Sequence, residues 1–358
     1  MQIMNDFIDY AYSLHEKHPV ADAHFDLPSI VSLLKKIGKS NIVEQLFLKD
    51  WQRAGLNFIG AAVYLDRKVL GGNHWQHAYD QIVSLYEDIK PLYPQVQIIT
   101  SSTQLDQVVK NHYIGLLLYF EGLEPVEEDL SLLEEAYLLG IRGASLTWSR
   151  DNLFARGCCP IHKLEDVKGG LTSYGLEAMR KMESFPMFFD ISHLNDDGIR
   201  QLHACTHLPY AATHSNARAL LPHYRNLSDA QILYLANRGG VIGINAYKDL
   251  VCSKREFSSL DELCRHILYM VHLAGASHVG YGLDLCSMLT SAQQGKTEPT
   301  IIEDCLTSHK ELPLVTAKLL ESGIPEQDVL SIMGNNFISY FRSFLETSET
   351  VHTLAKAT

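Results

Sequence analysis

The chain has 358 residues, 46% of them hydrophobic and 20% charged, a balance that excludes an intrinsically disordered polymer. Acidic side chains (42) outnumber basic ones (30), for a net charge of −12, which excludes a general nucleic-acid binder with its clustered Lys and Arg. No apolar run approaches the roughly 20 residues that span a bilayer, so no membrane partner is expected.

In chain order, Met1 to Ala11 carries Asp6 and Asp9, no basic residue and no long apolar core, which does not read as a signal peptide. Eight short apolar runs follow, at residues 20–24, 58–64, 114–120, 143–146, 186–191, 209–212, 240–244 and 278–282. They are nearly continuous in apolar character, as strands covered on both faces should be. Between them, residues 75–89, 130–139, 228–237 and 260–274 have helical spacing. The third begins at Ser228-Asp229 and stops before Gly239-Gly240, while the second and fourth precede Gly140 and Gly275. A further β-like stretch, 96–100, does not fit the count. The tail from 312 to 345 reads as helical, interrupted at Gly323-Ile324-Pro325.

Alternation of strand and helix predicts a parallel sheet, and eight such units in this length predict a (β/α)8 TIM barrel, with residues 1–358 as one domain and C-terminal helices at about 312–345. The rival, a doubly wound open sheet, is weakened because no G-x-G-x-x-G follows an early strand. Seven cysteines (Cys158, Cys159, Cys205, Cys252, Cys264, Cys286, Cys305) form no C-x-x-C pair, which argues against a disulfide framework or zinc ribbon and for a reducing cytoplasm.

The polar residues at the strand ends carry the chemistry. His24 and Asp26 follow the first strand, Glu121 the third, His193 the fifth, His214 the sixth and Asp284 the eighth. In a parallel barrel those ends meet at one mouth, where barrel active sites lie. Residues i and i+2 of an extended segment point to one side, so His24 and Asp26 can reach a single ion. Imidazole and carboxylate suit zinc or a similar divalent ion. Glu121, with two oxygens, can bridge two ions, and His193 and His214 complete enough ligands for a two-metal site. Against this stands the number of histidines, 17, which makes single coincidences common. His15, His74, His77, His112 and His309 sit in helix-like or loop contexts and receive no role. Cys286, close to Asp284, is more simply an ordinary buried cysteine than a soft ligand. The Cys158-Cys159 pair lies in an expected loop and is not read as catalytic. No G-x-S-x-G elbow or Walker-type loop is present, and Ser192 and Ser215, each beside a His, do not make a triad.

Taken together, the ordered blocks resemble the renal, or membrane, dipeptidase family of zinc peptidases in its soluble bacterial branch, over about residues 20–337. The blocks are Ala21-Asp22-Ala23-His24-Phe25-Asp26-Leu27-Pro28, Phe120-Glu121-Gly122-Leu123-Glu124-Pro125, Gly140-Ile141-Arg142 leading to Leu146-Thr147-Trp148, Gly170-Leu171-Thr172, Asp190-Ile191-Ser192-His193, Thr213-His214-Ser215, Arg225-Asn226-Leu227, Gly239-Gly240-Val241-Ile242-Gly243 and His278-Val279-Gly280-Tyr281-Gly282-Leu283-Asp284. The resemblance implies a barrel of the metal-dependent hydrolase type with two Zn2+, or another divalent ion in their place. His24 and Asp26 would bind one ion, His193 and His214 the other, with Glu121 as bridge. It further implies that Arg225 holds the C-terminal carboxylate of a small dipeptide, that Asp284 meets the free amine and handles protons, and that Tyr247 lines the pocket. A metal-bridging hydroxide would attack the peptide carbonyl, and homodimers are a family tendency.

Three positions depart from that pattern. Animal members carry a His after the Leu-Thr pair, where Trp148 stands here and would meet the substrate instead. The family's Asp-Phe-Asp-Gly reads Asp284-Leu285-Cys286-Ser287, and Glu121 is followed by Gly122-Leu123 rather than two glycines. These departures motivate an alternative, a metal-dependent amidohydrolase acting on another small or cyclic amide. A metal-binding barrel without turnover is a third reading.

Overall fold

The computed structural model describes residues 2–65, 72–158 and 169–345, so Cys159 lies outside the described residues. Among the described residues eight strands are formed: β1 (Val20–Phe25), β2 (Leu56–Tyr64), β3 (Val96–Ile98), β4 (Ile114–Glu121), β5 (Ile141–Ser145), β6 (Phe188–Asp190), β7 (Ile242–Ile244) and β8 (Val279–Tyr281). All pairings between them are parallel, in the order β6-β5-β4-β2-β1-β8-β7. Ala211 bridges to Asp190 of β6, and Ala212 to Ile242 of β7, both in parallel sense. That two-residue stave closes the ring, and the chain folds as a TIM barrel.

Each of the eight apolar runs supplies one stave. The sixth, 209–212, contributes only the two bridges. The uncounted stretch at 96–100 contains β3, which pairs with residues 114–116 at the start of β4, on the side where β5 pairs with the rest of that strand. The predicted helices form at His74–Ile89, Asp229–Asn237 and Leu260–Ala274, while the one expected over 130–139 is shorter, Leu132–Leu138. Ser228 caps its helix through a box closed by Gln231, because its hydroxyl takes an otherwise unpaired backbone N–H. The tail forms the helices Leu312–Glu321, Glu326–Leu330 and Asn336–Arg342, and a further helix, Gln2–Lys17, precedes β1.

Strand alternation sorts the core into two layers. In β4, Leu116, Leu118 and Phe120 face the surrounding helices, whereas Leu117 and Tyr119 belong to the cluster inside the barrel. Glu121 continues that inner row to the mouth. The opposite end is plugged from the tail. Phe341 stacks on Phe58 at 5.0 Å and meets Phe188 at 4.9 Å. Near the mouth the staves approach closely: a Cβ at Gly243 or Gly282 would lie 2.0 or 1.7 Å from the Thr213 carbonyl oxygen. Only glycine admits that approach, which draws the sixth stave, with His214, toward β8.

Candidate metal centre

The barrel brings the five expected ligands together. His24 is the last residue but one of β1, Asp26 follows the strand, Glu121 ends β4, and His193 and His214 lie just past β6 and the two-residue stave. All five are buried. His193 Nε2 stands 2.7 Å from Glu121 Oε1 and 2.9 Å from His214 Nε2, and His214 Nε2 stands 3.4 Å from the same Glu121 oxygen. On the other side, His24 Nε2 is 3.8 Å from Glu121 Oε1 and 3.5 Å from Asp284 Oδ1. Three overlapping trios, His24–Asp26–Glu121, Glu121–His193–His214 and His24–His214–Asp284, each place their donor atoms within 4.8 Å of one another.

The partners behind the rings orient the donors inward. His24 Nδ1 meets the Tyr119 hydroxyl, His193 Nδ1 meets Ser149 Oγ at 2.8 Å, and His214 Nδ1 meets Thr213 Oγ1 at 2.8 Å. The Thr213 hydroxyl donates to Asp190 Oδ2 at 2.8 Å, so it accepts from His214 Nδ1–H and leaves Nε2 as a lone pair toward the centre. Two buried aspartates anchor the strand ends through backbone N–H groups. Asp190 Oδ1 accepts from Ser192 and Thr213, and Asp22 Oδ1 accepts from His24 and Leu283.

The donors fit a cation. His24 Nε2 and Asp26 Oδ1 are buried without a hydrogen-bond partner, a cost that native interiors avoid. Burial lowers the pKa values of His24, His193 and His214, which favours neutral rings able to offer a lone pair to a cation. Burial, reinforced by the neighbouring carboxylates, raises those of Asp26 and Glu121. Crowded acids beside neutral imidazoles call for positive charge between them, which a divalent ion supplies.

A cavity of about 540 Å³ opens over these groups. Arg225 lines it and is buried, its guanidinium donating to the carbonyls of Ser192 and, at 3.0 Å, His214. Trp148 forms a wall, its ring 5.5 Å from that of His193 and 5.3 Å from that of Tyr64, with the Arg150 guanidinium 4.5 Å from the indole centroid. Tyr247 lines the same space beneath the Arg255 guanidinium. Asp284, at φ 51°, receives Asn245 Nδ2 on Oδ2 at 2.9 Å and the Cys286 thiol on Oδ1 at 3.4 Å. Cys286 is half-buried as a residue and lines the cavity, while its thiol is enclosed against Asp284, so it is not the fully buried cysteine expected. Burial and the Asp284 charge push its thiol pKa well up.

Sequence reasoning missed the supports: Tyr119, Ser149, Asp190, Thr213, Asn245 and above all His309, which donates to Asp22. Asp22 and Asp190 each stand two or three residues before a ligand His, which is the signal that could have found them.

The model of the membrane dipeptidase family, peptidase family M19, matches residues 8–354. An uncharacterized dipeptidase of Schizosaccharomyces pombe is 30% identical over 235 residues, 65% of this chain and 53% of that protein. The chain thus spans about half the length of the first curated relatives it matches. Among solved structures, the family M19 metallopeptidase dipeptidase AC superposes with a TM-score of 0.77 at 22% identity, covering 92% of this chain and 99% of that one. A metallopeptidase from Rhodobacter sphaeroides, liganded with a phosphinate mimic of the dipeptide L-Ala-D-Ala, gives 0.76 at 20% identity, covering 91% and 99%. Both share the fold.

Proposed function

The chain belongs to the membrane dipeptidase family, and on that premise we propose that it is a zinc-dependent dipeptidase with a two-ion centre. The observation that carries this reading is the inward convergence of His24, Asp26, Glu121, His193 and His214, with His24 Nε2 and Asp26 Oδ1 left unpartnered in the interior. His24 and Asp26 would hold one ion and His193 and His214 the other, with Glu121 shared between them. When bound, the ions supply a Lewis acid for the peptide carbonyl and acidify a water toward a pKa of about 7.

The protein's own groups do the rest. Arg225 offers a guanidinium to the substrate's carboxylate, anchored by the Ser192 and His214 carbonyls. Asp284 would pair with the free ammonium, take a proton from the attacking water and hand it to the leaving amine as the peptide C–N bond breaks. The hydrogen bond from Asn245 and the Cys286 thiol fix its two oxygens. A substrate read at both ends by these two groups must be short, so selectivity for dipeptides follows. The dipeptide mimic held by the Rhodobacter sphaeroides neighbour supports this substrate class. Trp148 and Tyr247 wall the cavity and shape side-chain preference.

We read residues 1–358 as one barrel domain. A cytoplasmic setting agrees with Cys205, Cys252, Cys264, Cys286 and Cys305 being free thiols. Among the described residues no helix is long and apolar enough to cross a membrane. Light scattering tests the homodimer that the family resemblance implies. The second reading, hydrolysis of another small or cyclic amide, is favoured by Trp148 and Cys286 in the cavity wall. A panel of L,L- and L,D-dipeptides set against cyclic amides separates the two. Turnover of dipeptides alone supports the dipeptidase, and turnover of cyclic amides alone overturns it.

A further inference from the structure

The seam between β1 and β8 is the thinnest of the ring joints between named strands. A single register pair, Asp22 with Tyr281, joins the two strands, against seven pairs between β2 and β4. Yet this seam carries His24 at the end of one strand and Asp284 just beyond the other. Beside the backbone bond from the Asp284 N–H to the His24 carbonyl at 3.3 Å, a side chain joins the seam: Asp22 Oδ1 accepts the backbone N–H of Leu283 at 2.8 Å and of His24 at 3.3 Å. Its second oxygen, Oδ2, lies 2.8 Å from His309 Nε2.

The roles in this chain of contacts are set by chemistry. The Trp51 indole N–H only donates, and it points at His309 Nδ1 at 3.3 Å. His309 Nδ1 therefore accepts, Nε2 carries the proton, and the ring donates to Asp22. All three residues are buried at 2% exposure or less. The Phe25 ring, next to His24 in sequence, packs edge-on against His309 at 5.0 Å, so the same imidazole braces β1 by contact as well.

The opposite half of the centre is built otherwise. Asp190 ties Ser192 to Thr213, and both its oxygens are satisfied by those two neighbours, through the Ser192 N–H and hydroxyl and the Thr213 N–H and hydroxyl. His193 and His214 thus rest on a local clamp. His24 rests on a clamp that reaches through His309 to Trp51, on the helix Lys49–Arg53.

We propose that the Trp51–His309–Asp22 chain is a positioning device for the His24 side of the metal centre, and that His309 and Trp51 set how tightly one of the two ions is held. The inference rests on the two-ion reading above. His309 and Trp51 touch no ligand atom. They act through Asp22 on the backbone that aims His24 and Asp284. Supports of this kind are worth about ten- to a hundredfold in metal affinity.

The test is zinc titration of chelator-stripped protein, read by competition with a chromophoric chelator. Wild-type protein is expected to take up two ions. His309→Leu weakens one of them about ten- to a hundredfold and leaves the other unchanged. His309→Gln, whose amide can accept from Trp51 and donate to Asp22, restores the lost affinity to within a few-fold. Adding His24→Ala to His309→Leu removes the already weakened ion, whereas adding His193→Ala removes the tight one. Two ions held at wild-type strength in His309→Leu, equal weakening of both, or no rescue by His309→Gln overturns the inference while the two-ion reading stands. A wild-type protein that takes up no zinc overturns both. If circular dichroism shows His309→Leu unfolded, Trp51→Phe decides: selective weakening of one ion supports the device, and unchanged binding of both overturns it.

Discussion

The floor of the cavity and its rim are built by different rules. On the floor, His24, Asp26, Glu121, His193 and His214 are buried, and each imidazole is pinned at Nδ1 by a hydroxyl. On the rim, Trp148, Tyr247 and Cys286 are half-exposed, held by ring contacts and a weak thiol bond. Two of the departures from the family pattern, Trp148 and Cys286, fall on the rim, and none replaces a floor ligand. The contrast teaches that the metal chemistry depends on one rigid arrangement, while the walls are free to change what is bound.

The comparison breaks if floor and rim substitutions act alike. Glu121→Ala or Asp26→Ala is expected to lower dipeptide hydrolysis by about a thousandfold or more while circular dichroism still reports a folded barrel. Chelation should have the same effect, reversed on adding zinc. Arg225→Ala comes next, with KM for dipeptides up about ten- to a hundredfold, since a charged hydrogen-bond partner is lost. An unchanged KM removes Arg225 from the substrate's path. Trp148→Phe should change kcat/KM within about tenfold and reorder preference among dipeptides rather than silence the enzyme. The smallest effect is spectroscopic. Burial raises the Tyr247 pKa to about 12. A titration of wild type minus Tyr247→Phe should therefore show this phenol still protonated at pH 10. Ionisation near pH 10 would mean that the rim is as wet as bulk solvent.

Much of the barrel was legible because buried parallel strands are short, apolar and evenly repeated. The grouping of the five candidate ligands was legible because each sits where an apolar run stops. The sixth stave shows the limit. Residues 209–212 read as a strand, yet only Ala211 and Ala212 make bridges, since the chain turns at once toward His214. The supports were harder. Asp22 reads as one more residue of the first block, and nothing local marks His309 as its partner, because 287 positions separate them. Hydrogen bonds between such distant residues leave no periodicity to find.

The account stands on the floor being a cage for two cations. Calorimetric titration of chelator-stripped protein with zinc tests this most directly. Two equivalents are expected for the wild type, and weak or no uptake for Glu121→Ala, whose carboxylate is proposed to be shared by both sites. Failure of the wild type to bind zinc, or a Glu121→Ala protein that binds two equivalents as tightly as the wild type, would contradict it.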